Sequence, residues 1–287
     1  REKNISKETL LDAIEQSLIQ AYKNHFGKAD NVHVTINRET GDFSVYADRR
    51  VVEFVEDPAE EVSLVEAQKQ NTNAEVGDIL KVPVHSDKFG RIATQNAKNV
   101  ILQKIREEER KVLFDQYHGN EKEVVTGIVQ RVVGHNVSVN LGKADAILAE
   151  NEQVKGETFK PTERIKVYIL EVKDTPKGPR ILVSRTHPGL VKRLFESEVA
   201  EVKDGTVEIK SIAREAGSRT KLAVWSNDPD VDPVGACVGV NGARVSAIVN
   251  ELRGEKIDII NWDENPAILI ENALSPAKVI AVIADPD

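Results

Sequence analysis

Gly239-Val240-Asn241-Gly242, with Arg244 two residues on, are the residues of this sequence whose types and spacing carry chemistry. Two glycines three apart let another backbone come into contact, and a helix opening at Gly242 aims its free N–H groups at whatever arrives. A phosphate is the natural guest. The tetrapeptide alone fits a plain helical turn equally well, so its context must decide. Bond-making alternatives fail on spacing. His25, His33, His85, His118, His135 and His187 form no metal-ligand pattern with one another or with Cys237. Cys237 lies in a short apolar stretch and reads as a buried small residue rather than a nucleophile. Asp228, Asp230 and Asp232 begin like a calcium loop, but Pro233 replaces the required glycine and Gly239 stands where the bidentate Glu belongs. No GxxxxGK[ST] occurs, and Glu107-Glu108-Glu109 reads as a solvated helix face. The chain therefore reads as a binder and not an enzyme, without metal or cofactor.

The elements that hold the loop follow from local signals. Asp232-Pro233 starts a short apolar helix that stops at Gly239. A second helix carries Val245, Ile248, Val249 and Leu252 at helical spacing and is closed by Gly254. Lys256–Trp262 reads as a strand. Upstream, Thr186-His187-Pro188-Gly189 leads into a helix over Leu190–Ala200, buried through Val191, Leu194, Phe195 and Val199, followed by strands Thr206–Ala213 and Lys221–Ser226. Helix, two strands, two helices and a strand, with GxxG between the last two helices, is the order of a type II KH domain, an α/β unit whose loop clamps about four nucleotides. Lys210, Arg214, Arg219 and Lys221 gather around Gly217-Ser218, either as a solubility feature or as further phosphate contacts.

Five short strands precede this unit: Val124–Val133, Asn136–Leu141, Ala144–Leu148, Arg164–Val172 and Arg180–Arg185. Turn residues separate them, which predicts a small barrel; the run Val125–Glu152 within them resembles an S1 domain, which makes the barrel one of the OB type. Such barrels stack bases on aromatic side chains. Tyr168 is the single strand aromatic here, and His135 sits in a turn, so intrinsic RNA affinity is expected to be weak and helped by Lys143, Arg180 and Arg185.

The first segment predicts an α+β head. Ser6 caps a helix striped by Leu10, Leu11, Ile14, Leu18, Ile19 and Tyr22 and ending near Gly27. A hairpin turns at Glu39–Asp42, Val51–Val55 reads as a third strand, Ser63 begins a short helix, and Ile79–Val84 is a further strand. From Phe89 to Tyr117 there is no proline and no glycine after Gly90, which predicts a long strut of roughly 40 Å. Lys88, Arg91, Gln95 and Lys98 share a face of it, either solvated or a docking stripe.

The 287 residues leave room for two or three domains. Net charge is −8, yet residues 120–187 hold 11 Lys+Arg against 9 Asp+Glu, so basic sites must be local. One cysteine, no apolar run near the roughly 20 residues that span a bilayer, and no visible signal peptide predict a cytoplasmic protein away from membranes. Methionine is absent, which reads as a processed or excised fragment.

The run DPVGACVGVNGARVSAIVNELRGEKIDIINW resembles the first KH domain of the NusA family of bacterial transcription factors, nearly verbatim over some thirty residues. VTGIVQRVVGHNVSVNLGKADAILAENE resembles an S1 domain. RIATQNAKNVILQKIREEER, with Asp87-Lys88-Phe89 before it, is similar to the NusA amino-terminal domain. NPAILIENALSPAKVIAVIADPD resembles the start of a second KH domain, here with one helix, one strand and no second GxxG. The resemblance implies residues 1–119 as an RNA polymerase-binding head with a long helix, 120–187 as S1, 188–264 as KH, and 265–287 as a truncated KH segment. It further implies a monomeric elongation factor, modulating pausing, intrinsic termination and antitermination. Its implied partners are core RNA polymerase near the RNA exit channel, met by Lys88, Arg91, Gln95 and Lys98, nascent single-stranded RNA, and other Nus-type factors. KH loops, including those of this family, often carry a basic residue where Val240 and Asn241 stand, which leaves Arg244 as the charge partner for phosphate. A rival reading is the RNA-binding module of an RNA-processing or ribosome-associated protein. Polynucleotide phosphorylase also has KH and S1 domains, but in the order KH then S1 after a large catalytic core.

Overall fold

The structure is a computed structural model that describes residues 6–26, 30–37, 39–40, 42–84 and 87–283, in two compact units divided after Lys111. In the first unit, Ser6 caps α1 (Lys7–Phe26) through the Thr9 N–H, which donates to its hydroxyl at 3.0 Å. Strands β1 (Val32–Ile36) and β2 (Phe43–Val52) pair antiparallel from Val32↔Ala47 to Ile36↔Phe43. Alternation places Val45, Ala47 and Val51 on the inner face of β2, where Val45 and Ala47 meet Leu18, Ala21 and Tyr22 of α1. The expected third strand over Val51–Val55 is not separate. Val51 and Val52 complete β2, whose polar stretch Asp48–Arg50 stays in the sheet because β4 (Ile79–Pro83) pairs with it from the other side. A short parallel strand, β3 (Glu61–Ser63), joins at Arg50↔Glu61, and Ser63 then caps α2 (Leu64–Gln70). Gly27 and Gly41, expected to end the first helix and turn the hairpin, lie outside the described residues. Helix α3 (Asp87–His118) runs unbroken for 32 residues, about 48 Å at 1.5 Å per residue.

The second unit opens where the last turns of α3 enter a barrel. Strands β5 (Val124–Val133), β6 (Asn136–Asn140), β7 (Asp145–Leu148), β8 (Arg164–Thr175) and β9 (Gly178–Ser184) close in the order β5-β6-β7-β9-β8. Val129, Val139, Leu148, Val167, Ile169, Ile181 and Val183 fill it, and Leu113, Phe114 and Tyr117 of α3 plug one end. The Tyr117 hydroxyl donates to the Leu141 carbonyl at 3.1 Å and accepts from the Lys143 amide at 3.2 Å, so the helix fixes the β6–β7 turn. Gly127 is required by packing. A Cβ there would lie 2.3 Å from Val139 Cγ1.

Beyond the barrel come α4 (Pro188–Glu198), α5 (Ala200–Lys203), β10 (Val207–Glu215), β11 (Arg219–Ser226), α6 (Pro233–Val238), α7 (Ala243–Glu251) and β12 (Lys256–Asn261). The sheet runs β10-β11-β12, with β10 and β11 antiparallel and β11 and β12 parallel, the type II KH arrangement. Leu190, Leu194, Phe195, Leu222, Val224, Cys237, Ile248 and Leu252 form its core. Helix α8 (Pro266–Leu274), capped by Asn265, lies against β12. The strand expected after it is absent among the described residues. A strand needs a neighbour for its N–H and C=O groups. None pairs with the segment, and Ile280 and Ile283 stand almost wholly exposed.

Candidate nucleic-acid interface

Helix α6 is stopped by Gly239, whose φ of +73° and ψ of 174° suit only glycine. Asn241 and Gly242 then turn through left-handed conformations at φ +53° and +75°, and α7 begins. The turn leaves Val240 83% exposed at its tip. Arg244 reaches back across the loop. Its stem covers Gly239 so closely that a Cβ there would sit 2.7 Å from Arg244 Cγ. Its guanidinium donates to the Ala236 carbonyl at 2.7 Å and to Glu201 Oε2 at 2.9 Å. The expected phosphate partner is thus already engaged, capping α6 and pairing with α5. Beneath it, burial, helped by the Glu201 charge, pushes the Cys237 thiol up to about 11, which removes it as a nucleophile near neutral pH.

Two other predicted contacts are withdrawn by burial. Arg185 is 1% exposed. It donates twice to Glu157 at 2.7 Å, once to the Lys166 carbonyl at 2.7 Å and once to the Glu251 carbonyl at 3.0 Å. Glu157 and Lys166 belong to the barrel segment and Glu251 to α7, so this arginine joins barrel to KH domain. The Arg214 side chain is fully buried and forms a two-point bridge to Glu255, at 2.9 Å on each arm, while also donating to the His187 carbonyl. Burial alone would raise the Glu255 pKa. Bonds from Arg214, the Thr220 hydroxyl and the Gly217 amide outweigh it and hold the carboxyl below its ordinary value.

The remaining cations of this cluster are spread over β10 and β11. Lys210 bonds Glu208 and lies 5.6 Å from the centroid of Trp262, Arg219 stands 3.5 Å from Asp258, and Lys221 donates to the Ala273 carbonyl at the end of α8. On the barrel, Lys143 and Arg180 are both exposed and fall on one rim. Ala146 pairs with Ile181, which sets Arg180 beside Asp145 and near the turn that bears Lys143. The outer face of the neighbouring strands is polar: Ser138 donates to Gln130 at 3.1 Å and Asn140 to Asp145 at 2.8 Å. Tyr168 is not part of that face. It packs in the KH core and stacks on His187 at 4.6 Å.

On α3, Arg91, Gln95 and Lys98 are exposed, and Gln95 donates to Asn99 at 3.3 Å. The Lys88 side chain lies outside the described residues. Among the described residues no group of three or more His, Cys, Asp or Glu side chains is placed to hold a metal ion, and no helix is long and apolar enough to cross a membrane.

Sequence reasoning missed the acceptors Glu157, Glu201, Glu251 and Glu255, which are distant in sequence from their arginines and look like ordinary surface residues. It also missed the edge-to-face pair of Trp225 and Trp262, at 5.7 Å and 85°, with Trp225 42% exposed on the sheet face away from the KH helices. The apolar alternation of β11 could have revealed this, since Leu222 and Val224 point inward and Trp225 therefore outward.

Three family models match in order along most of the chain: the NusA N-terminal domain over residues 1–111, the S1 RNA-binding domain over 119–184, and the NusA-like first KH domain over 185–262. The chain is 54% identical to the transcription termination/antitermination protein NusA of Bacillus subtilis over 285 residues, 99% of this chain and 77% of that protein. It is 52% identical to the protein of the same name in Halalkalibacterium halodurans, covering 98% and 74%, and 41% identical to that of Thermus thermophilus, covering 100% and 77%. Among solved structures, the solution structure of the N-terminal domain of B. subtilis NusA is 48% identical, with a TM-score of 0.31, covering 38% of this chain and 87% of that one.

Proposed function

Because the chain belongs to the NusA family of transcription termination/antitermination proteins, we propose that it works as a non-catalytic elongation factor that holds RNA polymerase with one part and nascent RNA with another. The observation that carries this is the order of the three matched domains along nearly the whole chain, with S1 before KH. On this reading residues 1–119 form the polymerase-binding head and long helix, 120–187 and 188–264 form the RNA-binding S1 and KH domains, and 265–287 begin a second KH segment. The exposed stripe Arg91, Gln95 and Lys98, with Lys88, docks on core polymerase near the RNA exit channel. Transcript then meets Lys143 and Arg180 on the S1 rim and the Gly239–Gly242 loop, with Lys210 on β10 and Arg219 and Lys221 on β11 of the KH sheet. Arg185 and Arg214 hold the domains in place rather than touching RNA. The protein acts as a cytoplasmic monomer, modulates pausing, intrinsic termination and antitermination, and meets other Nus-type factors on the same complex.

The S1–KH pair supports a single RNA path because it is built as one piece. Tyr168 of the barrel lies in the KH core, Arg193 of α4 donates to the Lys122 carbonyl, and Arg253 pairs with Glu163 at 2.9 Å while lying over Phe159. The test is capture of purified core RNA polymerase by the immobilised chain, with Arg91→Glu, Lys98→Glu alongside. Retention by the parent and loss of most of it in the variant is expected. A parent that fails to retain polymerase would overturn the transcription reading.

A further inference from the structure

The KH loop is short of charge, and the reason lies outside the loop. From Asp232 to Leu252, through α6, the loop and α7, Arg244 is the sole basic side chain. A phosphate seated at the start of α7 would find backbone N–H groups and this guanidinium, nothing else cationic in the motif. Yet Arg244 is paired with Glu201, a residue of the short α5 that precedes the KH sheet. The pair is open to solvent, at 34% and 32% side-chain exposure. Both its bonds use Nη1, and among the described residues Nε and Nη2 take no other hydrogen bond. The guanidinium is therefore fixed at one corner, with a second edge accessible.

We infer that Glu201 sets the affinity of the KH loop for single-stranded RNA: its carboxylate, paired with Arg244, cancels the one positive charge the motif can offer a phosphate. This rests on the reading of the loop as an RNA contact and goes beyond it by assigning control to a residue outside the motif. Two restraints hold Arg244, and only one carries charge. The Ala236 carbonyl, at the end of α6, keeps the guanidinium in place at the negative pole of that helix, so loss of the Glu201 charge leaves its position intact. A phosphate then meets a full cation instead of a neutral pair. The aliphatic stem runs over Gly239, where a Cβ would sit 2.7 Å from Arg244 Cγ, and this keeps the guanidinium beside the loop. Glu201 thus acts as an affinity-setting residue, and its effect must pass through Arg244.

The experiment is a double-mutant cycle. Binding of fluorescently labelled single-stranded oligouridylate is measured for the parent, Glu201→Gln, Arg244→Gln and the double variant, at low and moderate salt, with far-UV circular dichroism as the check on folding. Glu201→Gln is expected to tighten binding about fivefold at low salt, with the gain shrinking as salt rises. In the Arg244→Gln background the gain should vanish. Glu201→Ser, which removes the side chain's reach as well as its charge, provides a second variant with the same expected sign. A parent that binds while Glu201→Gln binds equally or more weakly overturns the inference. So does an equal gain in the Arg244→Gln background, which would mark a general effect of net charge. If neither parent nor variants bind the oligonucleotide at low salt, the reading of the chain as an RNA binder fails, and this inference with it.

Discussion

Arginine meets glutamate both at the S1–KH joint and at the KH loop, with opposite consequences. At the joint, Arg185 and Arg214 are enclosed, each held at two points by one carboxylate and again by backbone carbonyls. At the loop, Arg244 and Glu201 share one contact in partial solvent. A buried pair gains geometry but cannot be rearranged without stranding a charge. An exposed pair contributes little stability and exchanges partners readily. Burial, more than residue type, separates a rivet from a tuning element.

The largest expected effect is at the joint. Arg185→Ala should cost about 3–5 kcal/mol in urea-induced unfolding, because it leaves Glu157 as an uncompensated buried charge. It should also split the S1 and KH transitions, which intrinsic fluorescence can follow because both tryptophans lie in the KH domain. A single transition with unchanged midpoint would mean that the joint does not depend on the bridge.

Next comes an acid effect at Glu255, whose carboxyl is held below its ordinary value of 4.5. A carboxyl depressed in the folded state contributes stability that is present above the unfolded value and is lost as pH falls through the folded one. KH stability should therefore decline as pH drops below about 4.5. Glu255→Gln should be less stable near neutral pH and show a flatter acid limb in thermal melts taken across that range. An unchanged acid limb would show that other carboxyls set it.

The smallest effect is at the loop tip. Val240→Lys adds a cation at an exposed position and should tighten binding of single-stranded RNA a few fold while making it more salt-sensitive, by about 0.7 in the log–log slope. Stability should stay within about 0.5 kcal/mol of the parent. A variant with unchanged slope would place the phosphates away from Val240.

Glycine pairs, caps and apolar periodicity made the KH order, the five barrel strands and the long helix legible. Each depends on residues within a few positions of one another. Asp232-Pro233 starts α6 and Gly239 ends it whatever lies around them. The charged site residues were less legible. Lys143, Arg180, Arg91 and Lys98 stand exposed, whereas Arg185, Arg214 and Arg244 found carboxylates 28, 41 and 43 residues away. The separate strand expected over Val51–Val55 failed for a similar reason: the polar stretch before it stays in β2 because it pairs with β4, roughly thirty residues further along.

By itself, the sequence determined the modular order, the elements within each module and a glycine loop shaped for a phosphate, since backbone preference and short-range periodicity act locally. Tertiary structure alone decided which arginines remain available to a nucleic acid. A guanidinium's role depends on its distance to a carboxylate and on the solvent between them, and folding sets both by bringing together residues far apart in the chain.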